Sequence, residues 1–377
     1  MDGATLFAHF SAVKDPRIER SKKHKLIDII IIAICAVIAD ADGWEDIETF
    51  AELKCEWFKS FLELKGGIPS HDTFRRVFAR MDPKVFQQSL ISWIKSVVTL
   101  TDGGVIPIDG KTVRRSFDKA KDLGPLHLVS AWSIENQLLL GQLKVESHSN
   151  EIPAIKSLLE LLDVKGCIVT IDAIGCQKEI AKKISEKKGD YVLSLKANQN
   201  TAYSEAELVF GGVERELLTN RLGTPFMTTD GDHGRIEERR YWISEDLSVL
   251  SGAHEWANLK ALGIAEKTRE IRGKTTIQRQ FSLLSFTSVE RFANAQRSHW
   301  KIENSLHWCL DVTFREDECR IRKGESPENF AMLRRSAISL LKNIDPKLSI
   351  RKKRYQAALK ESYLLKLLGN VVMPATE

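Results

Sequence analysis

A change of hydrophobic period near residue 105 constrains the fold of this chain more than any other feature of its sequence. Before this point apolar residues recur at helical spacing, and beyond it they form short strand-like segments. Three predicted strands come first, at Val105–Ile108, Leu126–Ile134 and Gln137–Val145, with Glu135-Asn136 as a turn. A helix, a strand, a second helix and a last strand follow at Ile152–Leu162, Cys167–Ile171, Gln177–Lys187 and Tyr191–Leu195. This order predicts a mixed sheet that begins with an antiparallel meander.

The first hundred residues are predicted to be helical. The predicted helices are Leu26–Ala39, Trp44–Leu53, Glu56–Leu64 and Ser70–Met81. Ser70 and Asp72 are candidate N-caps of the last one. A turn containing Gly66, Gly67 and Pro69 precedes it, which permits a helix-turn-helix in which Arg75, Arg76 and Arg80 contact DNA. An all-helical assembly domain with a basic surface is an equally open interpretation.

Residues 198–288 interrupt the sheet pattern with glycine-rich turns and the strand-like stretches Arg239–Ile243, Leu259–Ile264 and Gln280–Phe286, and helical spacing returns from Val289. We therefore predict an α/β fold, an α+β mixed sheet of the ribonuclease-H type with a mainly β insertion. The expected segments are a helical N-terminal domain for DNA binding or assembly (1–100), the two parts of the core (101–197 and 289–345), the insertion (198–288) and a basic helical tail (346–377).

The composition is that of a soluble globular protein, with 43% apolar and 28% charged residues among 377. The longest apolar run contains Asp28 and is shorter than the roughly 20 residues that a bilayer requires. We therefore expect a cytoplasmic protein that does not bind membranes. Six cysteines without regular spacing are expected to be buried, reduced thiols rather than zinc ligands or disulfides; they are Cys35, Cys55, Cys167, Cys176, Cys309 and Cys319.

The net charge is only +5, but the basic residues are concentrated in three places. Such groups suit a phosphate-rich partner, although a basic run is more often plain solvated surface. The groups are Arg17, Arg20, Lys22, Lys23 and Lys25; Arg235, Arg239 and Arg240; and Lys347, Arg351, Lys352, Lys353 and Arg354.

Two aspartates follow two of the apolar strands directly. Asp109 comes after Val105–Ile108, and Asp172 comes after Cys167–Ile171. A sheet can hold carboxylates rigidly at such positions, and carboxylate oxygens are the ligands that Mg²⁺ prefers. Two ions about 3.5–4 Å apart can assist an in-line phosphoryl displacement. A single aspartate after a strand is more often a turn former or a helix cap, so the pair in matching contexts carries the prediction.

A third carboxylate is predicted on a helix near residue 300. His299, Glu303 and His307 share one face at i, i+4 spacing, while Ile302 and Leu306 share another. A carboxylate between two imidazoles is a suitable metal ligand with neighbours that can carry protons. A surface helix held by salt bridges is the open alternative.

Several motifs follow one another in a fixed order along the chain. They are Ile108-Asp109-Gly110-Lys111, Asp172-Ala173-Ile174-Gly175-Cys176-Gln177, Leu195-Lys196-Ala197-Asn198-Gln199, His233-Gly234-Arg235-Ile236-Glu237 and His299-Trp300-Lys301-Ile302-Glu303-Asn304. Together they resemble the motifs of the H-repeat-associated (Rhs-element-associated) insertion-sequence transposases. This family belongs to the DDE transposases, and the resemblance extends from about Asp15 to Lys342. Departures occur at Ser147-His148 and at Asp232, outside the predicted triad.

The resemblance implies a ribonuclease-H-like core in which Asp109 and Asp172 are the first two metal ligands and Glu303 is the third. It further implies that Asp311 and Glu316 support the site. Two Mg²⁺ or Mn²⁺ ions would be the cofactors. The partners would be the terminal inverted repeats of a mobile element and target DNA, with the protein forming an oligomer on DNA in the cytoplasm, associated with the nucleoid.

The functional hypothesis is hydrolysis of one DNA strand at an element end, followed by attack of the freed 3′-hydroxyl on target DNA. Trp242 or Trp256 would stack on a displaced base, although a tryptophan is more often part of a core. The residues expected to contact phosphate are Lys111, Arg114, Arg115, Arg235, Arg239, Arg240, His299, Lys301 and His307.

The sequence suggests two rival interpretations. A nucleotide-binding P-loop is excluded because five residues, not four, separate Gly104 from Gly110, and Pro107 lies in an apolar strand there. A transposase relic that binds DNA without cleaving it is left open, because intact carboxylates do not prove activity.

Overall fold

The computed structural model describes residues 6–101, 103–118, 123–147, 149–232, 235–271 and 274–369. Its helices are α1 Leu6–His9, α2 Leu26–Ile38, α3 Trp44–Leu53, α4 Cys55–Lys59, α5 His71–Phe78, α6 Pro83–Val97, α7 Glu151–Leu161, α8 Lys178–Glu186, α9 Asn200–Ala206, α10 Arg215–Leu222, α11 Val289–Ile302, α12 Ser326–Lys342, α13 Ile350–Leu359 and α14 Glu361–Leu367. Its strands are β1 Gly104–Val113, β2 Leu126–Ser133, β3 Leu138–Lys144, β4 Cys167–Ile171, β5 Asp190–Leu195, β6 Phe226–Asp232, β7 Arg235–Ser244, β8 Ala261–Ile271 and β9 Lys274–Leu284.

The chain divides into two compact units. Unit 1 comprises Met1–Thr101, Gly110–His148 and Glu303–Glu377, and unit 2 comprises Asp102–Asp109 and Ser149–Ile302. Strand β1 contributes residues to both units.

Unit 1 has a helical core around two apolar helices. Residues 29–38 of α2 are all 3% exposed or less, which is the pattern of a helix buried on every side. α12 packs against α2, α6 and β3. α6 begins at Pro83 because the Asp82 side chain caps it, accepting hydrogen bonds from the amides of Lys84 and Val85. The strand order in this unit is β3-β2-β1, and β2 and β3 are antiparallel.

Unit 2 contains the strands that position the predicted aspartates, in the order β1-β4-β5-β9-β8-β7-β6. β4 is parallel to both of its neighbours, β1 and β5. All five residues of β4 are buried, as the unbroken apolar run Cys167–Ile171 predicted. α11 packs against β4, β5, β7 and β8. Its close approach depends on Gly263, where a Cβ would lie 2.7 Å from the Phe292 ring.

The mixed α/β class and the helical N-terminal region are confirmed, but several predicted elements differ. The helix predicted at Glu56–Leu64 ends at Lys59, because Phe61, Leu62 and Leu64 are buried within turns instead. β1 continues to Val113 instead of ending at Ile108, and it has β2 as its second neighbour in the sheet besides β4.

Residues 198–288 begin with α9, a π-helical turn and α10 before their strands start. These strands continue the sheet of unit 2, because β9 pairs antiparallel with β5. The predicted boundaries at 198 and 288 therefore stay a prediction. Among the described residues, every helix is too short or too polar to span a bilayer. All six cysteines are free thiols, with Cys55 and Cys319 only partly buried.

Candidate functional site

Asp109 and Asp172 follow the last paired residues of two neighbouring parallel strands. The pairing of β1 with β4 ends with Ile108 opposite Ile171, so the next residue along each chain segment is an aspartate. Adjacent strands lie about 4.8 Å apart, so the two aspartates occupy neighbouring positions of the sheet. Both residues are half-buried, so their oxygens are held by the sheet and still accessible. Unit 2 thus presents two rigidly placed carboxylates of the kind that hard divalent cations prefer.

The loop after Asp172 is tightly constrained. Asp172 Oδ1 accepts hydrogen bonds from the amides of Ile174 at 3.1 Å and Gly175 at 3.5 Å, which orients the carboxylate. A Cβ at Gly175 would lie 2.2 Å from Ile171 Cγ2, so glycine alone fits there without movement. Asp172 is therefore a turn former as well as a candidate ligand.

A second motif holds this loop. Asn198 Nδ2 donates to the carbonyl oxygen of Ala173, and Gln199 Nε2 donates to that of Cys176 at 2.8 Å. The sequence indicates Asn198 and Gln199 only as part of a family motif. Residue spacing does not reveal that two side chains contact residues more than twenty positions away in the chain. The structure gives both side chains a positioning role beside Asp172.

α11 is fastened to β4 close to Asp172. His299 Nδ1 lies 3.0 Å from the hydroxyl oxygen of Thr170, a buried residue two positions before Asp172. His299 is half-buried in this contact, whereas Lys301 on the same helix is exposed. α11 ends at Ile302, and Glu303 is the next residue of the chain.

Glu303 begins a stretch of wider helix in unit 1. Glu303–His307 and Cys309–Thr313 are π-helical turns, so the predicted helix is α-helical only as far as Ile302, although Glu303 and His307 do lie together. Such turns are frequent at functional sites. The Glu303 side chain is 55% exposed, and its Oε2 lies 3.4 Å from Nδ1 of the buried His307. A carboxylate and an imidazole at this distance could ligate one metal ion.

Lys111 makes an ion pair where sequence analysis expected a phosphate contact. Its Nζ lies 2.7 Å and 2.8 Å from the two carboxylate oxygens of Asp311, and its side chain is only 10% exposed. Arg114 Nε lies 3.1 Å from Asp317 Oδ2 but remains 79% exposed, and Arg115 is also exposed.

Glu316 is fully buried and paired with Arg335, which is also fully buried. Arg335 Nη1 and Nη2 donate to the two Glu316 oxygens at 2.7 Å and 3.3 Å. Burial opposes ionisation of Glu316, but the charges of Arg335 and Arg334 and the hydrogen bond from Arg335 outweigh it and lower its pKa. Glu316 therefore lies in the core of unit 1, and its support of the site stays a prediction.

The arginines of β7 are engaged by acidic neighbours. Arg239 contacts Glu237 and, at 2.8 Å, Asp230. Arg240 contacts Glu238. Phosphate would have to displace these partners, and the side chain of Arg235 lies outside the described residues.

The proposed stacking role of Trp242 and Trp256 is wrong, because their exposed fractions are only 2% and 6%. Trp300 and Trp308, on either side of Glu303, are the exposed indoles, at 56% each. Trp242 has apolar neighbours in its strand, and this pattern alone does not show whether the tryptophan belongs to the core or to the surface.

Two residues of the basic group near the C-terminus also differ from expectation. Lys353 and Arg354 are buried and donate to backbone carbonyl oxygens, so they do not form a basic surface. In α5, Arg75 lies 2.5 Å and Arg76 3.5 Å from Asp72, and both remain partly or largely exposed. Arg80 is exposed too.

Comparison with known proteins identifies the family of this chain. A family model described as the transposase DDE domain matches residues 93–341, and one described as DDE_Tnp_1-associated matches residues 7–94. The "putative transposase YncI" of Escherichia coli O157:H7 is 40% identical over 372 residues, which cover 97% of this chain and 95% of that protein. The "H repeat-associated putative transposase YhhI" of Escherichia coli strain K12 is 39% identical over 377 residues, covering 98% and 99%. A family model over most of the chain and relatives matched along nearly their whole length agree, and this chain therefore belongs to the H-repeat-associated family of DDE transposases.

Proposed function

We propose that this protein is an active transposase that cleaves one DNA strand at the ends of an insertion sequence and joins the freed 3′ end to target DNA. Membership in the family makes DNA its partner. The observation that supports the proposal is the register of β1 and β4, in which Ile108 lies opposite Ile171 and an aspartate follows each of them. The carboxylates of Asp109 and Asp172 match the ligand chemistry of Mg²⁺ or Mn²⁺.

Glu303 is the third ligand in this proposal. It follows Ile302 directly, and α11 is fixed to β4 through the contact of His299 with Thr170, two residues before Asp172. The donors of Asp109, Glu303 and His307 are two carboxylates and one imidazole, a set that divalent ions accept. We include His307 as a neighbour that binds metal or carries a proton.

When bound, two divalent ions would supply the lowered pKa of the attacking oxygen and the charge that stabilises the leaving oxygen. The residues of the protein hold the candidate ligands in place and orient them. The sheet fixes Asp109 and Asp172, the hydrogen bonds from Ile174 and Gly175 set the rotation of the Asp172 carboxylate, and the exposed Arg114 is available to DNA phosphates. Because cleavage and joining each need one activated oxygen nucleophile, the same carboxylates serve both steps.

The remaining functional assignments are parts of the same proposal. Among the predicted phosphate contacts, Arg115 and Lys301 are exposed, as are Arg76 and Arg80 of the N-terminal region. Assembly of an oligomer on paired element ends and association with the nucleoid are expected from the activity. The five predicted segments of the chain keep their boundaries as predictions.

Cleavage of a labelled element-end duplex in Mg²⁺ or Mn²⁺ tests the proposal. Asp109→Asn, Asp172→Asn and Glu303→Gln keep the shape of each side chain and remove its charge, so each should reduce nicking by at least about 100-fold. Glu216→Gln, an exposed residue of α10, is the matched control and should cleave as the wild type does. Undiminished nicking by the three variants would refute the assignment.

A DNA-binding relic without catalytic activity is the alternative. A relative from Escherichia coli K12 named "inactive transposase YbfQ" is 42% identical over 80 residues, which are 21% of this chain. Metal-independent binding to the terminal repeats with no cleavage by the wild type would select this alternative.

A further inference from the structure

The ion pair of Lys111 with Asp311 joins two parts of unit 1 that are 200 residues apart in sequence. Lys111 is in β1, two residues after Asp109, and Asp311 is in the second π-helical turn of the segment that begins at Glu303. The ion pair therefore fastens the later part of β1 to the segment that begins at Glu303.

Burial and charge make Lys111 unsuited to hold DNA. Its side chain is 10% exposed, both Asp311 oxygens lie within 2.8 Å of its Nζ, and Asp317 Oδ1 is 3.9 Å away. Two carboxylates thus already surround one ammonium group. By contrast, Arg114 keeps 79% of its side chain exposed beside Asp317 and could reach a phosphate.

We propose that the Lys111–Asp311 ion pair is a positioning clamp that fixes the segment beginning at Glu303 to the later part of β1, and so determines the affinity for divalent metal of a site that includes Glu303. The inference rests on the proposed function. Lys111 and Asp311 contact neither metal nor DNA. They act by holding Glu303 in place, as the outer partners of metal ligands commonly do.

The test compares Lys111→Met and Asp311→Asn with the wild type in the full-length protein. Loss of an outer partner typically weakens metal binding by about 10- to 100-fold, so the Mn²⁺ concentration for half-maximal cleavage should rise by at least about tenfold. The rise in melting temperature that Mn²⁺ causes without DNA should shrink in parallel. Binding of the element-end duplex in Ca²⁺ and its salt dependence should not change.

Two further variants separate a clamp from a general loss of structure. The charge swap Lys111→Asp with Asp311→Lys restores an ion pair and should recover much of the Mn²⁺ affinity that each single change loses. Lys111→Arg keeps the charge and should retain most of the affinity, which keeps the test valid where Lys111→Met folds poorly. Arg114→Met, the matched control, should weaken DNA binding and leave the Mn²⁺ requirement unchanged.

The results that would overturn the clamp differ from those that would overturn the proposed function. If Lys111 contacts phosphate, Lys111→Met lowers the slope of log affinity against log salt by about one and the swap restores nothing, which overturns the clamp. If the wild type depends on Mn²⁺ and both single variants show the same Mn²⁺ dependence, the clamp alone is overturned. A wild-type protein that shows neither Mn²⁺-dependent cleavage nor a Mn²⁺-induced shift in melting temperature overturns the proposed function together with the clamp.

Discussion

The buried pair Glu316–Arg335 allows a prediction whose magnitude follows from the structure. Both side chains are completely buried and joined by hydrogen bonds of 2.7 Å and 3.3 Å. Glu316→Gln leaves the guanidinium of Arg335 buried without its counter-charge, which typically costs about 3–5 kcal/mol. The double variant Glu316→Leu with Arg335→Met removes both charges and should cost far less, because a well-packed apolar pair is often about as stable as a buried ion pair.

Urea unfolding followed by far-ultraviolet circular dichroism measures these free energies. The exposed Glu318→Gln is the matched control and should change the free energy of unfolding by less than about 0.5 kcal/mol. If Glu316→Gln is no more destabilising than Glu318→Gln, or the double variant is the least stable, the argument from burial is refuted.

The same pair has a predictable pH dependence. Because its surroundings lower the pKa of Glu316 below the ordinary value of 4.5, the folded state favours the ionised form. The stability it contributes is complete above the ordinary pKa and disappears as pH falls through the lowered one. The difference in unfolding free energy between wild type and Glu316→Gln should therefore be constant near neutral pH and shrink in acid below the ordinary pKa. A difference that grows on acidification would contradict this sign.

Three further predictions concern single side chains. Trp242→Ala should cost about 3–5 kcal/mol in urea unfolding, because a buried indole is removed, and a variant of wild-type stability with altered DNA products would contradict the core assignment. Gly175→Ala forces its Cβ against Ile171, so we expect a loss of about 1–3 kcal/mol and slower cleavage through displacement of the Asp172 loop; normal stability and cleavage would count against the close approach. Arg354→Met removes charged hydrogen bonds to buried carbonyl oxygens and should cost at least about 2 kcal/mol in thermal unfolding, whereas exposed Arg351→Gln should be neutral; equal effects would show that Arg354 is not buried.

The core of the sheet was predictable because its strands have unambiguous patterns. Cys167–Ile171 was predicted at its exact limits, since a strand buried on both faces has an unbroken apolar run. Asp109 and Asp172 followed from the ends of two such runs. The residues 198–288 were less predictable because the strands β7 to β9 carry charges that pair across the sheet, as Glu237 does with Lys267 at 3.0 Å. Because of such cross-strand ion pairs, these strands lack the clear alternation of apolar and polar residues by which a strand is recognised in a sequence.

Other features depend on tertiary contacts that spacing does not encode. Apolar residues at 302 and 306 suit an α-helix and a π-helical turn alike, so the change of helix type at Glu303 could not be foreseen. The sequence predicts Lys111 and Arg354 to be surface cations, because lysine and arginine usually are exposed. Their burial depends on acceptors far away in the chain, Asp311 and the carbonyl oxygen of Val37.

The most direct test of the central claim is the position of Mn²⁺ in crystals of the protein bound to an element-end duplex. Anomalous scattering should show two ions about 3.5–4 Å apart, with oxygens of Asp109, Asp172 and Glu303 as their protein ligands. Ions bound elsewhere, with the Glu303 carboxylate turned to solvent, would contradict the account.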